Sequence, residues 1–270
     1  MAIQQNSGAS KSIYLEYSST PGVLLISNEA NRAIITKARE LVGEESWKRG
    51  FDGLAGKTVA RQVRKFLEEN GIPSSTTLDG EIVSAYYSER EHDNGAYQDI
   101  RVKFVDPDTK EGYLVTLPLY SGAAQMLIRK LANDTVTRGT IIKAFSVFPG
   151  QGREDQATGR VYFDSTVQLK GEDGEIKQAD GIFEDAVNAV KAKVEAAKAA
   201  GFKDKKMLST ARTNAVIEFY KEILQNEIEP KFKLEDEDED EADDEQVGRR
   251  VEQPRAPAGG FDQIDDDIPF

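Results

Sequence analysis

Asp99-Ile100-Arg101-Val102-Lys103-Phe104 is the stretch that decides the fold class, because apolar and charged side chains alternate along it. Successive side chains of an extended strand point to opposite faces of a sheet. The three apolar side chains therefore share one face, which we expect to be buried. Arg101 and Lys103 fall on the other face, which we expect to meet solvent. The alternation predicts a half-buried strand in a sheet with one apolar side.

This strand is one of five that the same pattern predicts. The five segments are residues 81–88, 98–105, 113–119, 140–148 and 160–170, all rich in β-branched and aromatic side chains. Turn signals such as Asp106-Pro107-Asp108 and Pro149-Gly150-Gln151-Gly152 separate them. A short helix is predicted at about residues 122–132, between the third and fourth strands. Five strands with a helix in this position predict a small barrel of the oligonucleotide-binding (OB) type.

Further elements are predicted on both sides of these strands. Two short strands, 12–17 and 23–26, come first, and apolar side chains at helical spacing then predict helices at about 28–42 and 57–70. Ser27 is predicted to cap the first of these helices. Two amphipathic helices, at 183–200 and 207–228, follow the strand set. We expect them to form a hairpin that packs on the barrel or on another subunit.

The charge of the chain is concentrated at its C-terminal end. The net charge is −13, yet residues 235–270 hold 15 Asp and Glu against only three Arg, which leaves 33 acidic and 32 basic residues in positions 1–234. The body is therefore close to neutral, and basic side chains gathered on one of its faces could bind phosphate. The acidic run and the Pro/Gly-rich segment after it cannot bury enough apolar surface to order themselves.

The predicted fold class is mainly β (α+β). It comprises an OB-fold-like five-stranded barrel with helical insertions in residues 1–180, a C-terminal helical hairpin in 181–232 and a disordered acidic tail in 233–270.

Composition excludes several kinds of site. The chain has no cysteine, so disulfides, thiolate zinc sites and cysteine nucleophiles are excluded. His92 is the single histidine and cannot form a multi-histidine metal site. We expect no metal, no cofactor and no catalysis. The sequence shows neither a membrane-spanning stretch nor a signal peptide, so we expect no membrane association and a cytoplasmic location.

The most specific motif is the C-terminal tip, Asp265-Asp266-Asp267-Ile268-Pro269-Phe270. Acidic residues there precede an apolar triplet whose Phe270 ring lies beside a terminal carboxylate, so a partner needs an apolar pocket with a basic rim. The six residues resemble, letter for letter, the tip of bacterial single-stranded DNA-binding proteins. The resemblance implies that a barrel holds single-stranded DNA. It also implies that the tip recruits replication and repair proteins, such as a polymerase, primase, helicase or exonuclease.

The body departs from the bacterial pattern, because a strand pair and two helices precede the main strand set and two helices follow it. It is more similar to the single-stranded DNA-binding proteins of lytic bacteriophages, which share the acidic tail. That resemblance implies a phage protein working in the cytoplasm of a bacterial host, in DNA replication, recombination and repair. A homo-oligomer is possible, and no DNA-contacting residue is carried over from either group.

Candidate DNA contacts come instead from the predicted strand region: alternation gives Arg101, Lys103, Arg160, Tyr162 and Lys170, and other aromatic and cationic side chains of the region are added to them. Single-strand binding combines cations that follow the phosphates with aromatic rings that stack on bases. The cationic candidates are Arg101, Lys103, Lys143, Arg153, Arg160 and Lys170, and the aromatic candidates are Tyr86, Tyr87, Tyr97, Tyr113 and Tyr162.

Three other functions remain open. Gly53-Leu54-Ala55-Gly56-Lys57-Thr58 resembles part of a phosphate-binding loop, but the loop requires a glycine at position 51, which is Phe51. A metal-dependent nuclease is favoured only by the grouping in sequence of Asp79, Glu81, Glu89, Asp93 and Asp99. A strand-annealing protein, or a transcription or replication accessory factor, would share every feature of the main prediction.

Overall fold

The central element is an eight-stranded mixed sheet. The computed structural model describes residues 12–49, 59–73, 76–92, 95–149, 153–154, 161–162 and 165–233. The sheet contains β1 (Ile13–Ser18), β2 (Val23–Ile26), β3 (Thr77–His92), β4 (Gly95–Val105), β5 (Gly112–Pro118), β6 (Ile141–Pro149), β9 (Ser165–Gly171) and β10 (Gly174–Glu175). The strand order is β10-β9-β6-β3-β4-β5-β1-β2, and β7 (Arg153–Glu154) and β8 (Val161–Tyr162) form a separate ribbon.

The long strand β3 organises the sheet. Residues Thr77 to Glu81 pair with β6 and residues Glu81 to His92 pair with β4, antiparallel in both cases. At Gly80, φ is +143° and a Cβ atom would approach the Val105 carbonyl oxygen to 2.8 Å, so only glycine fits. The edge strand β2 curls back toward β6. Near this approach, the hydroxyl of Thr76, just before β3, donates to the Leu24 carbonyl of β2 at 3.3 Å.

Helices pack on both faces of the sheet, over a large core on one face and a small core on the other. They are α1 (Glu29–Val42), α2 (Glu44–Arg49), α3 (Val59–Glu69), α4 (Gly122–Leu131), α5 (Ile182–Ala199), α6 (Lys205–Ile223), a π-helical turn (Leu224–Ile228) and α7 (Glu229–Phe232). One face packs with α4, α5, α6 and the π-helical turn in a single large core that includes Ile100, Val102 and Phe104. A smaller core joins α1 and α3 to β2, through Val23 and Leu25, on the opposite face.

The C-terminal hairpin belongs to the large core, with a buried cation at the junction. Arg129 of α4 donates from Nε to Gln178 at 2.6 Å and from Nη1 to the Tyr220 hydroxyl of α6 at 2.5 Å. Its guanidinium also lies 5.3 Å from the centre of the Phe183 ring of α5. These contacts tie both hairpin helices to α4.

The predicted fold class is confirmed in part. All five predicted strands form, as β3, β4, β5, β6 and β9, and α4 lies between the third and fourth as predicted. They belong, however, to an eight-stranded sheet that includes β1, β2 and β10, and the described strands do not pair into a closed barrel. Among the described residues, the helices hold more residues than the strands, so the α+β part of the prediction is confirmed and the structure is mixed rather than mainly β.

The predicted helix cap was also wrong by one residue. Asn28 caps α1, because its side chain accepts from the Asn31 backbone N–H at 2.8 Å. The Ser27 hydroxyl instead accepts from Arg32 at 2.6 Å. Among the helices that the structure describes, none has the length and apolarity needed to cross a membrane.

Candidate nucleic-acid interface

The face of β3, β4, β5 and β1 that points away from the large core is polar, and we call it the polar face. Residues on it alternate with buried ones, as in β4, where Ile100, Val102 and Phe104 are fully buried while Arg101 and Lys103 are half-buried. The strand registers assign the following side chains to the polar face: Tyr14, Glu16, Glu81, Ser84, Tyr86, Ser88, Arg90, Tyr97, Asp99, Arg101, Lys103, Val105, Leu114 and Thr116.

Aromatic and cationic side chains are neighbours on the polar face. In the register of β3 with β4, Tyr86 lies opposite Arg101 and Arg90 lies opposite Tyr97. Side chains directly opposite each other in an antiparallel pair have Cβ atoms about 4.5–5.5 Å apart. Lys103 is two residues along from Arg101 on the same side of β4. The register therefore brings together four of the predicted contacts, Tyr86, Tyr97, Arg101 and Lys103.

The charges on the polar face leave two cations uncompensated. Asp99 pairs with Arg90 at 2.8 Å, and Glu16 pairs with Arg32 of α1 at 3.7 Å. Within the described residues, the Arg101 and Lys103 side chains form no ion pair, and the enclosed Arg101 Nε has no hydrogen-bond partner. Arginines therefore neutralise Asp99 and Glu16, which leaves, among the described residues, two unpaired cations against one unpaired carboxylate, Glu81, opposite Val105 on the same face. This excess of positive charge can attract an anion.

The helices α1 and α3 form one border of the polar face. They pack on β2 through the small core, next to β1 in the sheet. Tyr14 of β1, with 38% of its surface exposed, lies on the polar face between this border and Leu114 of β5. A nucleic-acid strand that crossed β4 and β5 toward β1 would meet the exposed Tyr14 ring at this border.

Tyr87 lies on the opposite side of the sheet from Tyr86. Its ring packs on the large core, its hydroxyl donates to Glu89 at 2.6 Å, and Lys221 Nζ lies 4.4 Å from the ring centre. Burial, reinforced by the hydrogen bond to Glu89, raises the pKa of Tyr87, and the same hydrogen bond lowers the pKa of Glu89. The Tyr87 backbone N–H also donates to Glu229 at 2.7 Å, so the C-terminal helices occupy this side of β3.

Tyr113 also faces the large core rather than the polar face. It lies opposite Phe104, and its hydroxyl donates to Glu111 at 2.7 Å. That hydrogen bond is the main reason why the pKa of Tyr113 rises to about 12. Tyr87 and Tyr113 are thus separated from the four predicted contacts that the register brings together.

The remaining predicted cations lie elsewhere or outside the described residues. Lys143 of β6 is exposed and pairs with Glu172 at 3.6 Å, and Lys170 is exposed on β9, opposite Ala144. Arg153 and Tyr162 lie opposite each other in the β7–β8 ribbon, where the backbone is described and the side chains are not. Outside the described residues lie Arg160, the tip at residues 265–270 and the Gly53–Thr58 motif.

The acidic residues that favour a nuclease do not assemble within the described structure. Asp99 is held by Arg90, whereas Glu89 accepts from Tyr87 and from Gln98. In the part of the chain that the structure describes, no group of three or more acidic or histidine side chains is placed to hold a metal ion. Asp93 lies outside that part.

Sequence reasoning missed Tyr14, Arg90 and Leu114 as members of the polar face. The alternation Tyr14-Leu15-Glu16 was a usable signal for Tyr14, because Leu15 is fully buried and its neighbours fall on the other side. No local signal could have shown that β1 joins β5, since that pairing is parallel and spans about a hundred residues of sequence.

Comparisons with protein-family models, curated proteins and solved structures returned no match to this chain.

Proposed function

We propose that the protein binds single-stranded DNA, without sequence preference, through the polar face. The observation that carries this proposal is the register of β3 with β4, which sets Tyr86 beside Arg101 and Tyr97 beside Arg90. Single-strand binding needs this mixture, because cations follow the phosphates while rings stack on bases for about 1–3 kcal/mol per base. Protection of single strands in replication, recombination and repair is the corresponding role, and it needs no catalysis and no cofactor.

The arrangement of five strands supports an OB-type reading of the sheet. In an OB-fold, the second and third strands and the loops 1–2 and 4–5 bind the nucleic acid. If β3, β4, β5, β6 and β9 are these five strands, then β4 and β5 are the second and third, and both contribute to the polar face. Loop 4–5 is then the segment between β6 and β9, which contains Arg153, Arg160 and Tyr162. Together with Tyr97, Arg101 and Lys103 of β4, these three residues make six predicted contacts on elements that an OB-fold uses for binding.

Recruitment through the C-terminal tip completes the proposal. Asp265 to Phe270 would bind an apolar pocket with a basic rim on a polymerase, primase, helicase or exonuclease, in the manner that the resemblance to bacterial single-stranded DNA-binding proteins implies. The three aspartates would steer the tip toward basic rims, and Pro269 would limit the entropy lost on docking.

The test is a fluorescence-anisotropy titration of the full chain with a dT oligonucleotide and with a matched duplex, across a salt series. The proposal predicts tighter binding of the single strand, with log K falling on log salt by about 0.7 for each phosphate contacted. Equal affinity for both, or no binding at low salt, would contradict it. Mixing complementary strands with the protein then separates two roles, because faster duplex formation favours an annealing protein and unchanged kinetics favour simple protection.

A further inference from the structure

The base of the helical hairpin carries a groove with an apolar floor and an acidic rim, which we call the hairpin groove. Ile182 of α5 and Phe219 and Ile223 of α6 form the floor. Asp185, Glu222 and Glu227 contribute carboxylates, Asn226 completes the lining, and no lysine or arginine lines the groove. Within the described residues, none of the three carboxylates forms an ion pair. An occupant of the hairpin groove should therefore combine apolar and cationic side chains.

The opposite end of the same hairpin has this complementary chemistry. The turn Phe202-Lys203-Asp204-Lys205-Lys206-Met207 joins α5 to α6, and we call it the hairpin tip. Phe202 and Met207 are 42% and 51% exposed, so this turn presents two large apolar side chains to solvent. Three lysines surround them, while the Asp204 carboxylate caps α6 by accepting from the Lys206 and Met207 backbone N–H groups.

We propose that the hairpin tip of one copy of this chain docks into the hairpin groove of a second copy. The apolar side chains of the tip would cover the floor formed by Ile182, Phe219 and Ile223, and the tip lysines would face the acidic rim. The two surfaces cannot meet within one chain, because they lie at opposite ends of α6. This helix has 19 residues, which corresponds to a length of about 28 Å.

The size of the hairpin groove favours a protruding side chain over a free small molecule. Its volume is about 250 Å³, whereas pockets for small molecules are usually about 300–1,000 Å³. A contact between one hairpin tip and one hairpin groove buries little surface, so the association should be weak and sensitive to salt. Two hairpins lying antiparallel would fill both grooves in a closed pair, and head-to-tail docking would form chains. The proposal requires no bound nucleic acid and does not depend on the proposed function.

The first test is sedimentation velocity of the full chain without DNA, over the micromolar range and at low salt. We expect reversible association of the natural sequence. A groove variant, Glu222→Lys with Glu227→Lys, and a tip variant, Lys203→Glu with Lys206→Glu, should each weaken it by about tenfold or more, because like charges then oppose each other. A matched control, Glu40→Lys with Glu68→Lys, makes the same charge change on exposed positions of α1 and α3 and should leave association unchanged.

Mixing the two variants makes the test specific to this pairing. The groove variant keeps its basic tip and the tip variant keeps its acidic groove, and the two reversed surfaces also match each other. Association should therefore return in a one-to-one mixture of two variants that are each monomeric alone. Circular dichroism of each variant checks that the helices are retained, and the restored association itself shows that both are folded.

Crosslinking gives a second measurement that is independent of charge. The chain contains no cysteine, so Met207→Cys with Asn226→Cys introduces the only two thiols, and the two single variants show how much crosslinking joins identical positions. The two positions are 19 residues apart along one helical stretch, or roughly 28 Å, far beyond the span of a disulfide. Mild oxidation should give covalent dimers or longer chains in the double variant and far fewer in a variant carrying Met207→Cys alone.

Four results would overturn the proposal. They are a natural chain that stays monomeric throughout, groove and tip variants that associate as strongly as the natural chain, a mixture of the variants that does not associate, and a double cysteine variant that crosslinks no better than the single one.

Discussion

The two faces of the β3–β4–β5 region share one backbone and differ in what covers them. On the covered face, Ile82, Val102 and Phe104 are fully buried under α4 and the C-terminal helices. On the polar face, Arg101 and Lys103 occupy the intervening positions and stay half-exposed. The same alternation therefore serves two purposes, because every second residue stabilises the fold and the residues between them form the polar face that we propose binds DNA. Substitutions at adjacent positions should then have unlike effects.

The largest effect is expected from breaking the covered face. Phe104→Ala removes a fully buried ring that stacks on Phe145 with centroids 5.1 Å apart. The free energy of unfolding should fall by about 3–5 kcal/mol, since a cavity remains. Lys103→Ala, one residue away on the polar face, should change it by less than about 0.5 kcal/mol. Urea unfolding of both variants measures the difference, and similar losses in the two would contradict the assignment of faces.

Arg129 extends the comparison, because it is a cation on the covered side. Its guanidinium is buried and donates to the Tyr220 hydroxyl at 2.5 Å, whereas Arg101 on the polar face has no such partner among the described residues. Tyr220→Phe removes this acceptor and leaves a buried charged donor unpaired. The free energy of unfolding should fall by about 1.5–3 kcal/mol. Calorimetry at neutral pH checks this, and an unchanged melting temperature would show that the hydrogen bond contributes nothing.

Neighbouring tyrosines sharpen the comparison for binding. Tyr86→Ala should weaken binding of a dT oligonucleotide by about 1–3 kcal/mol, because Tyr86 lies on the polar face and is expected to stack on a base. Tyr87→Ala should leave affinity nearly unchanged and lower stability, because Tyr87 packs on the core and contacts Lys221. Anisotropy and thermal unfolding are measured on both proteins. The proposal fails if affinity drops for Tyr87→Ala and not for Tyr86→Ala.

The smallest expected effect concerns Tyr113 at alkaline pH. Its hydrogen bond to Glu111 raises its pKa to about 12, above the ordinary value of 10.0. The folded state then holds the phenol proton more tightly than the unfolded state. The stabilisation from this group is complete below pH 10 and is lost as the pH rises from 10 to 12.

In ultraviolet titrations of the folded proteins, Tyr113→Phe should lack one of the late-titrating phenols of the natural chain, and the difference between the two curves reports Tyr113. In Glu111→Gln this phenol should titrate at a lower pH, because the accepting carboxylate is gone. A Tyr113 that ionises at the ordinary tyrosine pKa in the folded protein would contradict the contact. Tyr113→Phe should also leave dT affinity unchanged, since Tyr113 faces the core.

Sequence periodicity predicted the local elements well because their signals are local. The alternation in β4 and the helical spacing in α5 and α6 depend only on neighbouring residues, and all of these elements form. Pairing depends on contacts between distant residues. The parallel pairing of β1 with β5 extends the sheet beyond the five predicted strands, and nothing near Ile13–Ser18 indicates it.

The candidate interface was predictable only in part for the same reason. Arg101 and Lys103 could be assigned to the uncovered face from β4 alone. Tyr86 and Tyr87 could not be distinguished, because the bulge between Ile82 and Ser84 shifts the register of β3. Without that bulge, alternation from the buried Ile82 would bury Tyr86 and expose Tyr87.

The most direct measurement of the central claim is the dT affinity of Arg101→Ala with Lys103→Ala across a salt series. Its matched control is Lys177→Ala with Lys191→Ala. This variant removes two exposed lysines, one just before α5 and one on α5, the helix that packs in the large core. If the polar face holds the strand, the first variant binds more weakly at low salt, and its slope of log K on log salt is smaller by about 1.4, which corresponds to two lost phosphate contacts. The control keeps the natural affinity and slope. Equal behaviour of the two variants would contradict the claim that the polar face binds single-stranded DNA.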